Sequence, residues 1–285
     1  MTSSSWILTA SCPSELGTVD AVTGFLYENE HYIEELHSFD DESSQRFFIR
    51  ACFRTNSHFD QSTFSQRFSL RAEKFDMQWE LQPSDYKPRV VILVSKFDHC
   101  LNDLLYKKQI GQLNIEIPAI ISNHPDLKDL ADWYQIPYHH LPITPESKQQ
   151  QEQQLWKIIE DTNADLVVLA RYMQVLSDEL CQKLEGWAIN IHHSLLPGFK
   201  GAKPYHQAYE KGVKTVGATA HYINADLDEG PIIAQGIEPV DHTYYPEDLI
   251  AKGRDIERIT LSRAVKYHIE KRVFLNGNRT VVFKK

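Results

Sequence analysis

A chain of 285 residues is long for one compact core and points to two domains. Hydrophobic residues make up 42% and charged residues 24%, an ordinary globular composition, and no apolar run nears the ~18–20 residues of a membrane span. The net charge of -9 disfavours a nucleic-acid partner, which rewards a clustered basic surface, but leaves room for an anionic small substrate held by a few local cations.

The opening residues, Met1 to Ile7, carry no basic region and only a short apolar stretch, so no secretory signal is expected and a cytoplasmic location is. Cys12, Cys52, Cys100 and Cys181 are far apart and form no C-x-x-C pair. They read as reduced core thiols, and no metal site is expected.

The first segment predicts a βαββαβ order. Trp6 to Cys12 reads as a strand, and Ser14 to Tyr27 as a helix with Leu16, Val19, Val22 and Leu26 on its apolar stripe. Tyr32 to Phe39 and Arg46 to Phe53 read as a strand pair around a polar turn. Phe64 to Phe75 reads as a helix and Met77 to Leu81 as a strand. This order is a ferredoxin-like split βαβ sandwich over residues 1–82. Residues 83–88 form a linker with Pro83 and Pro88 at its ends.

Residues 89–285 read as a Rossmann-like α/β domain with a mostly parallel sheet. Strands are expected at Val90 to Ser95, Ile115 to Ile121, Tyr138 to Leu141, Leu166 to Ala170 and Ala188 to His192. A helix covers Asp98 to Lys108, Pro125 opens another, and Thr144-Pro145-Glu146 signals the start of a third. Val216 to Ile223 and Ile232 to Val240 add strands, Glu247 to Lys271 a long helix, and Asn276-Gly277 a hairpin turn. In such sheets ligands bind beyond the carboxyl ends of the strands.

The chemistry concentrates in Asn190-Ile-His192-His-Ser194-Leu-Leu-Pro197. Alternation along the strand puts Asn190 and His192 on one face and His193 on the other. An amide N–H and an imidazole aimed at one place suit the oxyanion of a tetrahedral intermediate. Asp226-Leu-Asp228-Glu-Gly230-Pro231 adds carboxylates from a turn, and a carboxylate beside a histidine holds it cationic or positions a water. His221 lies near the end of the preceding strand. Taken singly, each residue has a structural reading: a hydrogen-bonded histidine, or an Asp that forms a turn.

Taken together, Asn190-Ile-His192, Ser194-Leu-Leu-Pro197 and Leu227-Asp-Glu-Gly-Pro231 resemble the N10-formyltetrahydrofolate formyltransferase and hydrolase superfamily. The match is closer to its hydrolase branch. Ala170 to Leu176, Gly201 to Tyr209, Gly217 to Tyr222, Asp241 to Tyr244 and Phe274 to Thr280 extend the likeness, which covers residues 88–283. The first eighty residues resemble the ACT domain that precedes the catalytic domain there. The resemblance implies Asn190, His192 and Asp228 as the catalytic triad, and His221 as a further active-site histidine. It implies folate contacts at Met173, Gln174, Val175 and Leu176, and a substrate-binding role for Ser194. Gln174 stands where relatives often carry a basic residue.

The implied reaction is hydrolysis of 10-formyltetrahydrofolate to formate and tetrahydrofolate, supplying formate for purine synthesis and balancing one-carbon folate pools. The folate is the substrate, and no further cofactor is expected. The alternative is formyl transfer to an amine such as glycinamide ribonucleotide. That needs a phosphate cradle of close backbone N–H groups after the first strand. Here that loop is Ser95-Lys-Phe-Asp-His-Cys100, with no glycine and with bulky side chains, which disfavours close backbone approach. Formyl transfer to an initiator tRNA fits poorly with the acidic chain and its short tail. ACT resemblance predicts a homo-oligomer, with the ACT unit acting either as an amino-acid effector site near Ser14 to Gly17 or as an assembly module without a ligand.

Overall fold

A computed structural model of the chain, described over residues 4–55, 58–198 and 204–284, divides into two compact units. One is Met1–Tyr86 with Tyr267–Asn276 and Val281–Lys285, and the other is Lys87–Lys266 with Gly277–Thr280. The expected catalytic domain ran to residue 285, whereas most of the tail groups with the first unit.

In the first unit, β1 (Ser5–Pro13), α1 (Thr18–Glu28), β2 (Tyr32–Asp41), β3 (Arg46–Arg54), α2 (Gln61–Ala72) and β4 (Gln78–Pro83) follow in the βαββαβ order. The sheet order is β2-β3-β1-β4, with every neighbour antiparallel. Alternate residues of β1, Leu8, Ala10 and Cys12, share a core with Val22 and Phe25 of α1 and Phe68 of α2. The expected stripe of α1 holds at Val22 and Leu26 and misses at its start. Leu16 is fully exposed and Val19 largely so, because the helix begins only after Gly17, whose φ of +97° breaks the run. Ala21, Val22, Phe25 and Leu26 form the true buried face.

The tail is held to this unit by charge and ring packing. Arg272 donates to Glu35 at 3.0 Å, Asn276 donates to Asp41 at 2.6 Å, and Phe274 meets Phe48 edge-on. Arg50, buried like Arg272, shares Glu35 at 3.0 Å.

The second unit holds β5 (Val90–Val94), α3 (His99–Gln109), β6 (Ile120–Ser122), α4 (Lys128–Trp133), β7 (Tyr138–His140), α5 (Lys148–Asp161) and β8 (Leu166–Leu169). After these come α6 (Asp178–Leu184), β9 (Ala188–His192), α7 (Pro204–Glu210), β10 (Thr215–Tyr222) and β11 (Ile232–Pro239). Helix α8 runs over Pro246–Ile269, and β12 (Val273–Asn276) and β13 (Arg279–Val282) form the hairpin. The seven-stranded sheet has the order β11-β10-β9-β8-β5-β6-β7, parallel from β9 to β7 and antiparallel at β10 and β11. Every residue of β5 and β8 is buried, as unbroken apolar runs in a doubly covered sheet should be.

Three local expectations differ. The strand expected at 115–121 is confined to Ile120–Ser122, because Pro118 has no N–H for the ladder; only a single bridge joins Glu116 to Arg89. The helix start at Thr144 is a hydrogen-bonded turn, with Thr144 N donating to Ser147 Oγ at 2.9 Å, and the helix itself begins at Lys148. Helices α6 and α7 were not expected. Among the described residues no helix is long and apolar enough to cross a membrane.

Candidate active site

The carboxyl ends of β5, β8 and β9 open on one edge of the sheet, and the site is built there. Asn190 and His192 sit two residues apart at the end of β9 and so share a face. The antiparallel register sets His221 of β10 directly opposite Asn190. Asp228 comes from the turn between β10 and β11, where it adopts φ +58°. Gly230 closes that turn against β10 so tightly that an added Cβ would meet the Tyr222 carbonyl at 1.7 Å.

These four side chains meet. His192 Nδ1 is 3.1 Å from Asp228 Oδ2. Asn190 Nδ2 is 3.3 Å from His221 Nε2 and 3.5 Å from Asp228 Oδ1. His221 donates through Nδ1 to the Tyr222 carbonyl at 2.8 Å, which leaves Nε2 to accept from Asn190 when the ring is neutral. Burial alone would raise the Asp228 carboxyl. Hydrogen bonds from His192 and His221, and the positive charge of those rings, outweigh it and hold the group well below the usual carboxylate range. With Nδ1 committed to Asp228, His192 has one nitrogen left. Nε2 is buried and has no hydrogen-bond partner among the described residues. The second amide hydrogen of Asn190 makes only the long contact to Asp228. The Asn190 amide can donate to a substrate oxygen, and Nε2 of His192 can do so when the ring is protonated.

A cavity of about 550 Å³ surrounds this group. Met173, Gln174, Val175 and Leu176 all line it, as expected, and Met173 and Val175 are half exposed there. Ser194 does not line it. Its hydroxyl donates to the Gly198 carbonyl at 2.8 Å and so secures the turn after β9. The rest of that segment, 199–203, lies outside the described residues, as does the corresponding part of the expected motif from Gly201. His193 departs from expectation too. The strand ends at His192, alternation stops, and the His193 ring stacks on His192 with centroids 5.1 Å apart.

The loop after β5 turns Ser95 inward, where its hydroxyl donates to Asn123 and accepts from the Met173 N–H. Phe97 and His99 from this loop also line the cavity. Beside them lies an ionic cluster that the sequence reading missed. Glu257, 1% exposed, pairs with His99 at 2.7 Å and Arg171 at 3.4 Å and accepts from the Tyr205 hydroxyl at 2.8 Å. Arg171 donates to His193 Nδ1. Burial, then the Arg171 charge, pushes the His193 ring down to about 4. His99, Cys100 and Glu257 bring metal-compatible atoms within 4.8 Å of one another. The carboxylate is already satisfied by protein groups, and the Arg171 guanidinium beside it opposes a cation. Arg171 directly follows the buried run of β8, a position at which the sequence offers a clue. Glu257, in mid-helix, offers none.

Residues 88–265 match the family model described as formyl transferase. The chain belongs to the formyl transferase family. A formyltetrahydrofolate deformylase of Corynebacterium sp. (strain P-1) is 55% identical over 279 residues, 98% of either chain. The crystal structure of a formyltetrahydrofolate deformylase from Pseudomonas putida KT2440 superposes with a TM-score of 0.93 at 64% identity, covering 98% of this chain and 100% of that one. Another formyl transferase fold, glycinamide ribonucleotide transformylase 1 from Symbiobacterium toebii, gives 0.66 at 27% identity and covers 72% of this chain and 98% of that one. The deformylases thus match this formyl transferase family member across both units, the transformylase across part of it.

Proposed function

We propose that this chain hydrolyses 10-formyltetrahydrofolate to formate and tetrahydrofolate, with Asn190, His192 and Asp228 as its catalytic residues. The pairing of His192 with Asp228 carries the mechanism. The carboxylate holds Nδ1–H and leaves Nε2 facing the formyl oxygen beside the Asn190 amide, where it donates in the protonated ring. Water adds to the formyl carbon, and the negative charge that gathers on the oxygen is stabilised by these two donors. The C–N10 bond then breaks, and N10 takes up a proton relayed through Asp228. Met173 to Leu176 receive the folate ring, and His221 braces Asn190. The folate is substrate, and the scheme calls on no further cofactor.

Water as acceptor is supported by the segment after β5, which has no glycine for close backbone approach to a phosphate and sets Phe97 and His99 against the cavity. The test is formate release from 10-formyltetrahydrofolate by the purified protein with no amine added. Release without acceptor is expected. Turnover only when glycinamide ribonucleotide is supplied would make the chain a transferase instead.

For the ferredoxin-like unit the proposal is homo-oligomerisation, with an amino-acid effector as the further possibility to test. Strand β2 is a ten-residue sheet edge carrying exposed Tyr32, Leu36 and Phe39. Sedimentation with and without amino acids separates assembly from ligand binding, and a monomer at all concentrations would remove the assembly role.

A further inference from the structure

The cavity of the second unit carries a set of polar groups for which the reaction as written has no use. Arg171 follows β8 with φ +65°, a strained conformation for a residue with a side chain, of the kind that persists when its surroundings over-determine it. That side chain is nine-tenths buried. It joins His193 through Nη1, approaches Glu257 through Nε, and sets its Cζ 5.4 Å over the Phe97 ring. His99 and Tyr205 complete the coordination of Glu257, and His193 stacks on His192. The cluster therefore reaches from α8 to the catalytic imidazole itself.

We propose that Arg171 is a specificity-determining residue that reserves the acceptor position for water. By gathering Glu257, His193 and Phe97 beside His192, it fills the part of the cavity that the substituent of an amine acceptor would have to enter. The inference rests on the hydrolytic reading above and explains how that outcome is enforced.

The acceptor, whatever it is, must bring a lone pair to the formyl carbon next to His192 Nε2. Water needs room for one small molecule. An amine brings a substituent that must be lodged nearby. The apolar wall, with Tyr172, Leu176 and Ile223, suits the folate ring. Beside His192 the wall also carries ions that already satisfy one another, Arg171 with Glu257 and Glu257 with His99. Opening it separates Arg171 from Glu257 and leaves a buried charge unpaired, which proteins resist strongly. The guanidinium groups of Arg171 and Arg254, both over the Phe97 ring, also repel a protonated amine.

With water, a C–O bond forms, C–N10 breaks, N10 gains a proton and formate leaves. With an amine in its place, a C–N bond forms, C–N10 breaks, and the proton lost by the amine balances the one gained by N10. The two routes differ only in the acceptor, so the product ratio reports which acceptor reaches the carbon.

The experiment compares the parent protein with Arg171→Ala and Phe97→Ala, each given 10-formyltetrahydrofolate with and without glycinamide, and measures formate and N-formylglycinamide together. The parent protein is expected to give formate alone. Each variant is expected to raise the ratio of formylated amine to formate by about tenfold or more, the scale on which one pocket change shifts specificity. Phe97 takes part in no ion pair, so its variant removes the ring under Arg171 while leaving the Arg171–Glu257 and Arg171–His193 contacts in place. If both variants release formate at the parent's product ratio, the proposal is overturned. If the parent releases no formate without amine, it is the hydrolytic reading that fails, and this inference falls with it.

Discussion

His192 Nδ1 lies 3.1 Å from Asp228 Oδ2, and that contact decides which nitrogen of the ring faces the cavity. Asp228→Asn keeps the shape but removes the carboxylate charge beside His192 and the proton relay it supplies. Turnover is expected to fall ~10²–10⁴-fold, the usual range for a lost acid–base group. Formate release measures it, and an Asp228→Asn variant near parental activity would refute the role. The stability sign is also fixed. The folded carboxyl is held below its ordinary value of 3.8, so its stabilisation is complete above that value and is lost as pH falls through the folded value.

Asn190→Ala and His192→Ala each remove one oxyanion donor. Each is expected to lower kcat by ~10²–10³-fold with a smaller change in KM, because the lost bond is strongest in the transition state. The double variant should lose less than the product of the two, since both donors serve one oxygen. Steady-state kinetics on the three proteins checks this, and a fully active His192→Ala would remove the assignment.

His193 acts on stability in the same sense as Asp228, over a higher pH window. Its folded value of about 4 lies below the ordinary 6.5, so the unfolded chain takes up this proton first. Stability is therefore expected to decline as pH falls from about 6.5 to about 4. His193→Gln should flatten that part of the curve relative to the parent. Thermal melts of both proteins across this window measure it, and identical slopes would show that His193 does not contribute.

Glu35 is shared by Arg50 and Arg272, each only 3% exposed. Burial would raise its carboxyl, but the bond from Arg272, then His37 and the Arg50 charge, bring it down to about 2 from 4.5. Glu35→Ala leaves two buried cations short of a partner and is expected to cost ~3–5 kcal/mol. Urea unfolding measures the loss. In the parent this stabilisation is complete above pH 4.5 and disappears as pH falls toward about 2.

The parts of the site that lie along one strand or one turn were legible in the sequence. Period-2 alternation placed Asn190 with His192, and the turn from Asp226 to Pro231 placed Asp228 near strand ends. What alternation misjudged was His193, because the strand stops one residue earlier. The cluster around Glu257 was invisible for a different reason: its members come from α3, α7, α8 and the loop after β8, and no local pattern links them. Helix α6 had a readable start, since Ser177 caps it through a bond from the Leu180 N–H. The stripe of α1 was read correctly at Val22 and Leu26 and missed at Leu16 and Val19, because the helix begins only after Gly17.

Gly230 controls the position of Asp228 through space. A methyl group there would fall 1.7 Å from the Tyr222 carbonyl oxygen, which is backbone and has no side-chain freedom to yield. The Tyr222 N–H also donates to the Pro231 carbonyl at 2.9 Å, so the residue after the glycine is tied to β10. Gly230→Ala must therefore push the turn away from the strand and carry Asp228 off His192. Displacement of a catalytic group by about 1 Å costs on the order of 10²-fold in rate, so kcat is expected to fall by about that much while the first unit melts unchanged. The same substitution at Gly277, where the hairpin leaves open space around the glycine, is expected to leave kcat near the parental value despite its φ of +61°. Kinetics on the pair separates a steric effect at the site from a general cost of losing a glycine, and equal losses in both would contradict the role given to Gly230.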